Sequence, residues 1–343
     1  MDNKLKSRLF EINKDLLTNY PLKEFTTFNI GGPADFVMVA SSIQQITETI
    51  KTCSEFKIPV KILGGGSNVL ISDSGYRGVI IINRFSEWSV LKNDLFDEKR
   101  PKTKARLTTV GDQFYSTDGL EYSDEKADQI RIKTSSGMRL IPFIKTLFQN
   151  KITGLQWFSG IPASIGGAIY MNIHGGNYFF GDFVHSALLF DGRQLKQVDR
   201  EYFKFDYDWS ILHETNEIIL EAELNLFMGD VDQAKDLSTN WARRKSLQPQ
   251  KSVGCVFRNL TEMEQEKFNL PTSSIGYLID KVLGLKGMQK GGATISAKHA
   301  AFIENTGLAS SDDVYFLYNM ILEKAESQIG LKLIPEIEFI GDF

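Results

Sequence analysis

Alternating and periodic apolar positions divide the chain into predicted helices and strands. Residues 1–20 predict a short, charged amphipathic helix. A strand at 35–39, a helix with apolar positions at helical spacing over 43–50 and a strand at 60–63 then follow one another. After a glycine turn, residues 79–83 predict a further strand. The N-terminal part of the chain therefore predicts a compact β-α-β unit that is extended by one strand.

A polar stretch separates this unit from the remaining predicted elements. Residues 86–128 carry mixed charge and only brief β-like runs, which is typical of a surface insertion. Beyond it, the apolar patterns predict strands at 129–135, 218–227 and 336–340, short strands near Ala293 and Ala301, and helices at 140–148, 231–245, 274–282 and 311–329. Helices and strands are therefore mixed along the chain, as in an α+β protein.

Composition and charge restrict the class of protein. The 343 residues exceed what a single hydrophobic core usually serves, so two or three domains are expected. A hydrophobic content of 42% with 24% charged residues is typical of globular proteins. The formal net charge of −4 argues against a general nucleic-acid-binding surface, and no apolar run reaches the length of a membrane helix. We therefore expect neither nucleic acid nor membrane as a partner.

Cysteine and histidine usage indicates a reducing compartment and no metal site. The two cysteines, Cys53 and Cys255, lack the pattern of a disulfide scaffold. Residues 1–20 lack the apolar core of a signal peptide. The four histidines show no metal-ligand spacing, so no metal is expected. Together these features predict a cytoplasmic protein.

Two glycine-rich loops are the first candidates for chemistry. Residues 64–68 read Gly-Gly-Gly-Ser-Asn between two predicted strands, and residues 154–168 place glycines and small residues around apolar ones. Backbone N–H groups in such loops can be aimed at a diphosphate without any net positive charge. Two tight turns with no ligand are the alternative, and the loops alone leave both interpretations open.

Three other positions have a structural interpretation beside a functional one. A lone cysteine such as Cys255 is most often a buried filler. Strand alternation puts Glu336 and Glu338 on one face, where solvent exposure is the ordinary outcome. The basic run at 243–245 ends a predicted helix, where cations complement the helix dipole and can also bind a substrate phosphate. The residues alone do not decide between these uses.

Taken in order, several motifs resemble those of one flavoenzyme family. The most specific are Thr-Phe-Asn-Ile-Gly-Gly-Pro-Ala at 27–34, Leu-Gly-Gly-Gly-Ser-Asn-Val-Leu at 63–70, Ser-Gly-Ile-Pro at 159–162 with Gly-Gly at 166–167, and Gly-Leu-Lys-Gly at 284–287 before Gly-Gly-Ala at 291–293. Their order and spacing resemble the UDP-N-acetylenolpyruvoylglucosamine reductases. The short connection between Tyr207 and the helix at 231–245 resembles the shorter, second type of that family.

The resemblance implies a fold, a reaction and two cofactors, FAD and NADPH. The family has a two-subdomain FAD-binding fold of the FAD-linked oxidase type and a third, α/β substrate-binding domain. Here this implies subdomains at 20–85 and 129–238, the insertion at 86–128 and a substrate domain at 239–343. The reaction implied is the reduction of UDP-N-acetylglucosamine enolpyruvate to UDP-N-acetylmuramate in peptidoglycan precursor synthesis. The residues implied in FAD binding are Asn29, Gly64, Gly65, Gly66, Ser67, Asn68, Ser159, Gly160, Ile161, Gly166 and Gly167.

The resemblance also assigns catalytic and substrate-binding positions. The family's proton-donating serine lies in a Gly-Ser-x-Phe-Lys-Asn-Pro motif, and Cys255 takes its place with a thiol that is more acidic than a hydroxyl. Glu336 matches the family's catalytic glutamate, which implies that it stabilises or relays charge at the enol intermediate. The residues implied in substrate binding are Tyr207, Arg244, Arg258, Asn259, Lys286 and His299.

One departure from the family pattern concerns the substrate carboxylate. Asp208 stands where the family's Phe-x-Tyr-Arg-x-Ser motif has its arginine, and an aspartate cannot replace a guanidinium that binds a carboxylate. Arg258, Lys286 and Arg244 are the expected substitutes. Asp208 leaves two alternatives open: an FAD-dependent oxidoreductase of the same fold with another substrate, and a degenerate homologue that only binds flavin or a UDP-sugar. The sequence carries no signal for the oligomeric state.

Overall fold

The computed structural model of the protein describes residues 3–91, 102–103, 117, 119–124 and 126–343. The strands in chain order are β1 (Leu17–Pro21), β2 (Pro33–Ala40), β3 (Val60–Leu63), β4 (Val69–Ile71), β5 (Tyr76–Asn83), β6 (Trp88–Val90), β7 (Asp128–Ser135), β8 (His174–Gly175), β9 (Tyr178–Phe179), β10 (Val184–Phe190), β11 (Leu195–Asp199), β12 (Ile218–Met228), β13 (Gln289–Lys290), β14 (Ala293–Ile295), β15 (Ile303–Asn305) and β16 (Glu338–Ile340). The α-helices are α1 (Asn3–Ile12), α2 (Ile43–Glu55), α3 (Leu140–Gln149), α4 (Ile165–Tyr170), α5 (Leu212–Thr215), α6 (Val231–Ser246), α7 (Glu262–Lys267), α8 (Ile275–Tyr277) and α9 (Ser311–Ile329).

The first sheet has the strand order β1-β2-β5-β3, in which β2, β5 and β3 are parallel and β1 is antiparallel at one edge. Helix α2 begins after Ser42, whose side chain accepts a hydrogen bond from the Gln45 N–H, as a helix N-cap does. Ile46 and Ile50 of α2 belong to the core on one face of this sheet. Strand β3 runs directly into the glycine loop at 64–68, so that loop lies at the carboxyl edge of the parallel strands, where α/β sheets usually bind ligands.

The second sheet is antiparallel, with the strand order β11-β10-β12-β7-β6. Helices α3 and α4 pack on it in the largest hydrophobic core of the described residues. The sequence pattern did not predict β10. This strand is buried on both faces, with Leu189 in the core of the second sheet and Phe190 in the core of the first. A strand buried on both faces loses the alternation by which strands are recognised.

The third sheet, β13-β14-β15, is small and packs against α9. Helix α9 has the predicted bounds because it begins with a capping box between Ser310 and Asp313 and ends at Gly330, whose φ is +69°. The C-terminal strand β16 leaves this region and pairs in parallel with β4. It begins at Glu338 rather than at the predicted residue 336, because Pro335 forms a bridge with Phe257 instead. The C-terminus is thereby tied to the N-terminal part of the chain.

The expected division between residues 238 and 239 falls inside α6, which is continuous. Its buried Trp241 packs edge to face on Trp157, with ring centroids 5.5 Å apart. Of the expected insertion at 86–128, β6 joins the second sheet by pairing with β7. Residues 92–101, 104–116, 118 and 125 of this insertion lie outside the described residues. None of the helices in the described ranges is long and apolar enough to cross a membrane.

Candidate active site

A cavity of about 850 Å³ opens between the first sheet, the second sheet and the C-terminal region. Its volume is near the upper end of the range for small-molecule and cofactor sites. Both glycine loops line it, together with Tyr207, Asp208, Cys255, Asn259 and Glu336. The structure therefore brings most of the sequence-predicted site residues to a single cavity, although they come from distant parts of the chain.

The two glycine loops form one wall because they touch each other. A side chain at Gly64 would overlap the Ser164 hydroxyl, and one at Gly65 would overlap the carbonyl oxygen of Pro162. Only hydrogen fits at either position. Ser164 is the N-cap of α4 and its Oγ accepts a hydrogen bond from the Gly167 N–H at 3.2 Å. At Gly167 itself a methyl group would meet only the Ser164 hydroxyl, at 3.4 Å, so this glycine leaves space in the cavity.

Two residues that the resemblance implies in cofactor binding do not line the cavity. Asn29 has a φ of +57°, and its N–H donates to the Thr26 carbonyl; Ser159 is buried and its hydroxyl bonds to Ser238. Thr27, which the sequence did not single out, does line the cavity. Its N–H donates to the Gly66 carbonyl at 2.9 Å and its Oγ1 donates to the Ser252 carbonyl at 2.7 Å. Thr27 therefore ties the first glycine loop to the segment that leads to Cys255.

Backbone pairing places Cys255 and Glu336 on neighbouring segments. The Arg258 N–H donates to the Ile334 carbonyl at 3.0 Å, and the Glu336 N–H donates to the Val256 carbonyl at 3.1 Å. On the other side, the Asn68 amide Nδ2 donates to the Glu336 carbonyl at 2.9 Å. Glu336 is thus held between the first glycine loop and the Cys255 segment, so the end of the chain completes the site.

Tyr207 and Asp208 form the tip of a tight turn in which Asp206 and Trp209 pair with each other. Asp208 has a φ of +44°, a conformation that aspartate tolerates better than most residues. The Tyr207 hydroxyl oxygen accepts a hydrogen bond from the Asn259 side chain at 3.0 Å. This leaves the Tyr207 proton to be donated elsewhere.

The Asp208 carboxylate is almost fully buried and bonds to a histidine. Its Oδ1 lies 2.8 Å from Nδ1 of His174, whose side chain lines the cavity. The other oxygen, Oδ2, has no hydrogen-bond partner in the described part of the chain. Gln248 also lines the cavity, and its buried Nε2 is likewise without a partner there. Two polar atoms of this kind in one cavity wall fit a polar ligand.

Burial and neighbouring charges shift the pKa values of two groups of the site, Glu336 and Tyr207. Burial raises the pKa of Glu336 well above the usual carboxyl range, and the nearby Asp208 carboxylate raises it further; Arg258 and Lys245 act in the opposite direction. Burial also raises the pKa of Tyr207, with further contributions from Asp208, Glu336 and Cys255. Both shifts favour the protonated form, in which a carboxylic acid and a phenol can donate hydrogen bonds.

The cations expected to replace the family arginine are not in the cavity wall. Lys286 pairs with Asp280 at 3.2 Å, and Arg244 does not line the cavity. Arg258 lies behind Tyr207: it donates to the Tyr207 carbonyl at 2.8 Å and stacks on the Tyr207 ring. His299 is buried, with its ring 4.8 Å from that of Phe302, which does line the cavity.

Comparison with known proteins identifies the family. The chain is 32% identical over 343 residues to UDP-N-acetylenolpyruvoylglucosamine reductase 1 of a Bacillus cereus strain, covering 98% of this chain and 99% of the relative. The chain belongs to the UDP-N-acetylenolpyruvoylglucosamine reductase family. A Bacillus subtilis (strain 168) member is 30% identical over 98% of this chain and 97% of its own length.

Domain and structure comparisons agree with this family. Residues 247–340 match its C-terminal domain, and residues 34–94 match an FAD-binding domain. The crystal structure of the reductase (MurB) from Thermus caldophilus has 26% sequence identity to this chain and a TM-score of 0.66, covering 95% of this chain and 98% of that one. The predicted α+β fold of the FAD-linked oxidase type and FAD as cofactor are thereby confirmed. The glycine wall of the cavity fits this cofactor.

Lys245 and His174 line the cavity but were not among the residues assigned to the site from the sequence. Lys245 could have been found, because Ala234, Trp241 and Lys245 repeat at helical spacing on the buried face of α6, whereas Arg244 does not. No comparable periodic pattern in the sequence marks His174. Its position depends on the β8–β9 hairpin and on contacts with the turn at 206–209, which is distant in the sequence.

Proposed function

We propose that this chain reduces UDP-N-acetylglucosamine enolpyruvate to UDP-N-acetylmuramate with NADPH as the electron donor. The observation that carries the proposal is that Cys255, Glu336 and both glycine loops meet on one cavity, in a chain that belongs to this family. The reaction adds a hydride and a proton across the enolpyruvyl double bond, while NADPH becomes NADP⁺. FAD, when bound, supplies the hydride transfer between the two substrates.

The first glycine loop and the segment at 160–167 would hold FAD. Their surfaces consist largely of backbone, and N–H groups of the first loop can face a diphosphate. Asn68 joins this wall to Glu336 through its side-chain amide. The same loop therefore binds the cofactor and positions a catalytic carboxyl group.

Cys255 Sγ would donate the proton to the carbon next to the substrate carboxylate. A thiol has a reference pKa near 8.5, so it is a stronger acid than the serine hydroxyl of the family motif. Cys255 forms no disulfide among the described residues and lines the cavity. Because reduced thiols and NADPH both require reducing conditions, we also propose the cytoplasm as the compartment.

Glu336 would stabilise the negative charge that develops when the hydride is added. Its raised pKa favours the neutral acid, which can donate a hydrogen bond to an enolate-like oxygen. The Tyr207 hydroxyl, fixed by Asn259, is a second donor in the same region. The chain thus places a proton donor and charge-stabilising donors in one partly buried site.

Product analysis in deuterated solvent tests this proposal. The FAD-loaded protein is incubated with NADPH and UDP-N-acetylglucosamine enolpyruvate, and the product is analysed by mass spectrometry. We expect UDP-N-acetylmuramate that carries solvent deuterium at the carbon next to the carboxylate, with one NADPH oxidised for each sugar nucleotide reduced. Oxidation of NADPH that does not depend on the sugar nucleotide would favour another substrate. Binding of the sugar nucleotide without any NADPH oxidation would favour a binding-only homologue.

A further inference from the structure

The substrate carboxylate requires a positively charged partner that the family motif does not provide in this chain. The cavity wall contains the buried Asp208 carboxylate where the family motif has an arginine, so this position does not offset the charge of an entering carboxylate. Among the described residues that line the cavity, those able to carry a positive charge are Lys61, His174 and Lys245. Lys61 is engaged with Glu338 at 2.6 Å.

Asp208, Tyr207 and Phe179, among the described residues, hold His174 in one orientation. Its Nδ1 bonds to Asp208 Oδ1 at 2.8 Å. Its ring lies 5.4 Å from the Tyr207 ring at an interplanar angle of 32°, and 6.0 Å from the Phe179 ring at 63°. A histidine fixed through Nδ1 by a carboxylate presents Nε2 on its opposite edge. The side chain keeps 18% of its surface exposed and lines the cavity.

The turn that carries Asp208 is fastened to the segment that carries His174. The Asn172 side-chain amide donates to the Asp206 carbonyl at 2.7 Å, and the Ser210 hydroxyl donates to the Tyr170 carbonyl at 2.7 Å. These two hydrogen bonds, one on each side of the turn, set the distance between His174 and Asp208. A buried carboxylate is tolerated when a donor or a cation faces it, and His174 fills that role.

We propose that His174 binds the carboxylate of the enolpyruvyl group and that Asp208 is the residue that positions it. In the family motif, position 208 contributes an arginine directly. In this chain the same position contributes a carboxylate that orients the imidazole of His174. The residue that binds the substrate carboxylate therefore comes from β8 and not from the turn that carries position 208. The inference rests on the proposed function, because it assumes an enolpyruvyl substrate.

Two ligands that differ only in the enolpyruvyl group separate this role from a structural one. We would measure the dissociation constants of UDP-N-acetylglucosamine enolpyruvate and UDP-N-acetylglucosamine for the FAD-loaded wild type and His174→Ala. Loss of a charge-assisted hydrogen bond should weaken binding of the first ligand about tenfold to a hundredfold. Binding of the second ligand, which lacks the carboxylate, should change less than about twofold. His185→Ala on β10, which is not in the cavity wall, is the matched control and should change neither constant.

Asp208 is tested by replacement and by rescue. Asp208→Asn should raise KM for the enolpyruvyl substrate more than it lowers kcat, because it loosens the orientation of a residue that binds the substrate. The double variant His174→Ala/Asp208→Arg restores the family's arginine and should recover affinity for the enolpyruvyl ligand relative to His174→Ala. Lys245→Met tests the competing cation.

The His174→Ala and Lys245→Met affinities decide between the two side chains. Equal weakening of both ligands in His174→Ala, or a selective loss in Lys245→Met but not in His174→Ala, would overturn the inference. A wild-type enzyme that reduces no enolpyruvyl substrate would instead refute the proposed function. Selective loss in His174→Ala with recovery in the arginine double variant would establish His174 as the carboxylate-binding residue.

Discussion

Gly64→Ala should destabilise the protein through a single side chain, that of Ser164. The added methyl would overlap Ser164 Oγ and lie 3.1 Å from Ser164 Cβ, with no other contact within 4 Å. Ser164 must then leave its rotamer and its hydrogen bond to the Gly167 N–H. Loss of the helix cap costs about 1 kcal/mol, and an off-rotamer side chain costs about 0.5–1.5 kcal/mol. The free energy of unfolding should therefore fall by about 1.5–2.5 kcal/mol.

The same substitution should behave differently when Ser164 is removed. In a Ser164→Gly background, the Gly64 methyl meets no atom, and glycine as an N-cap costs only a few tenths of a kcal/mol. Alanine also restricts the unfolded chain, which stabilises by about 0.4–1 kcal/mol where the backbone allows it. Gly64→Ala should thus change from destabilising to neutral or stabilising, a coupling of about 2 kcal/mol between neighbours.

Urea unfolding of the FAD-free wild type, Gly64→Ala, Ser164→Gly and the double variant measures this coupling. Flavin fluorescence measures the FAD affinity of the same four proteins. Gly167→Ala is the matched control. It adds a methyl to the same wall without a clash, so it should leave stability unchanged or raise it by up to about 1 kcal/mol, the helix preference of alanine, while weakening FAD binding. Equal destabilisation by Gly64→Ala in both backgrounds would refute the contact between the two loops.

Two further predictions concern the catalytic groups. Cys255→Ala should lower the rate at which the enolpyruvyl substrate reoxidises reduced flavin by about 10²–10⁴-fold, the contribution of a general acid, whereas flavin reduction by NADPH should not change. Cys255→Ser should recover most of the lost rate. Equal reoxidation rates in all three proteins would exclude Cys255 as the proton donor. Glu336→Gln should abolish reduction of the substrate and alter the pH dependence of stability. Because the folded protein raises the pKa of Glu336, the folded state retains a proton that the unfolded state releases, so wild-type stability falls as pH rises from the ordinary carboxyl range through the raised pKa. Glutamine removes this dependence, and the variant should match the wild type in acid and exceed it at higher pH; parallel urea-midpoint curves would contradict the shift.

The regular elements could be predicted from the sequence wherever one face is buried. Strand β3 and helix α9 have the predicted bounds because their patterns and caps are local. Strand β10 could not be predicted, since burial on both faces removes its alternation. The expected division at 238–239 lies within α6, where the packing of Trp241 on Trp157 joins the helix to a segment far away in the sequence.

The site could be predicted as a set of motifs, but its pairwise contacts could not. Cys255 and Glu336 were expected from the resemblance, and the structure adds the backbone hydrogen bonds that bring them together. The expected replacement of the family arginine by Arg258 overlooked the Tyr207 backbone, which holds that guanidinium behind the cavity wall. His174 could not be predicted, because its pairing with Asp208 depends on a tertiary contact between a hairpin and a turn.

An anaerobic stopped-flow record of flavin absorbance tests the central claim most directly. The FAD-loaded protein is reduced with NADPH and then mixed with UDP-N-acetylglucosamine enolpyruvate. We expect rapid reoxidation of the flavin together with formation of UDP-N-acetylmuramate, which would show that Asp208 is compatible with the reductase reaction. A flavin that stays reduced in the presence of this substrate would contradict the account.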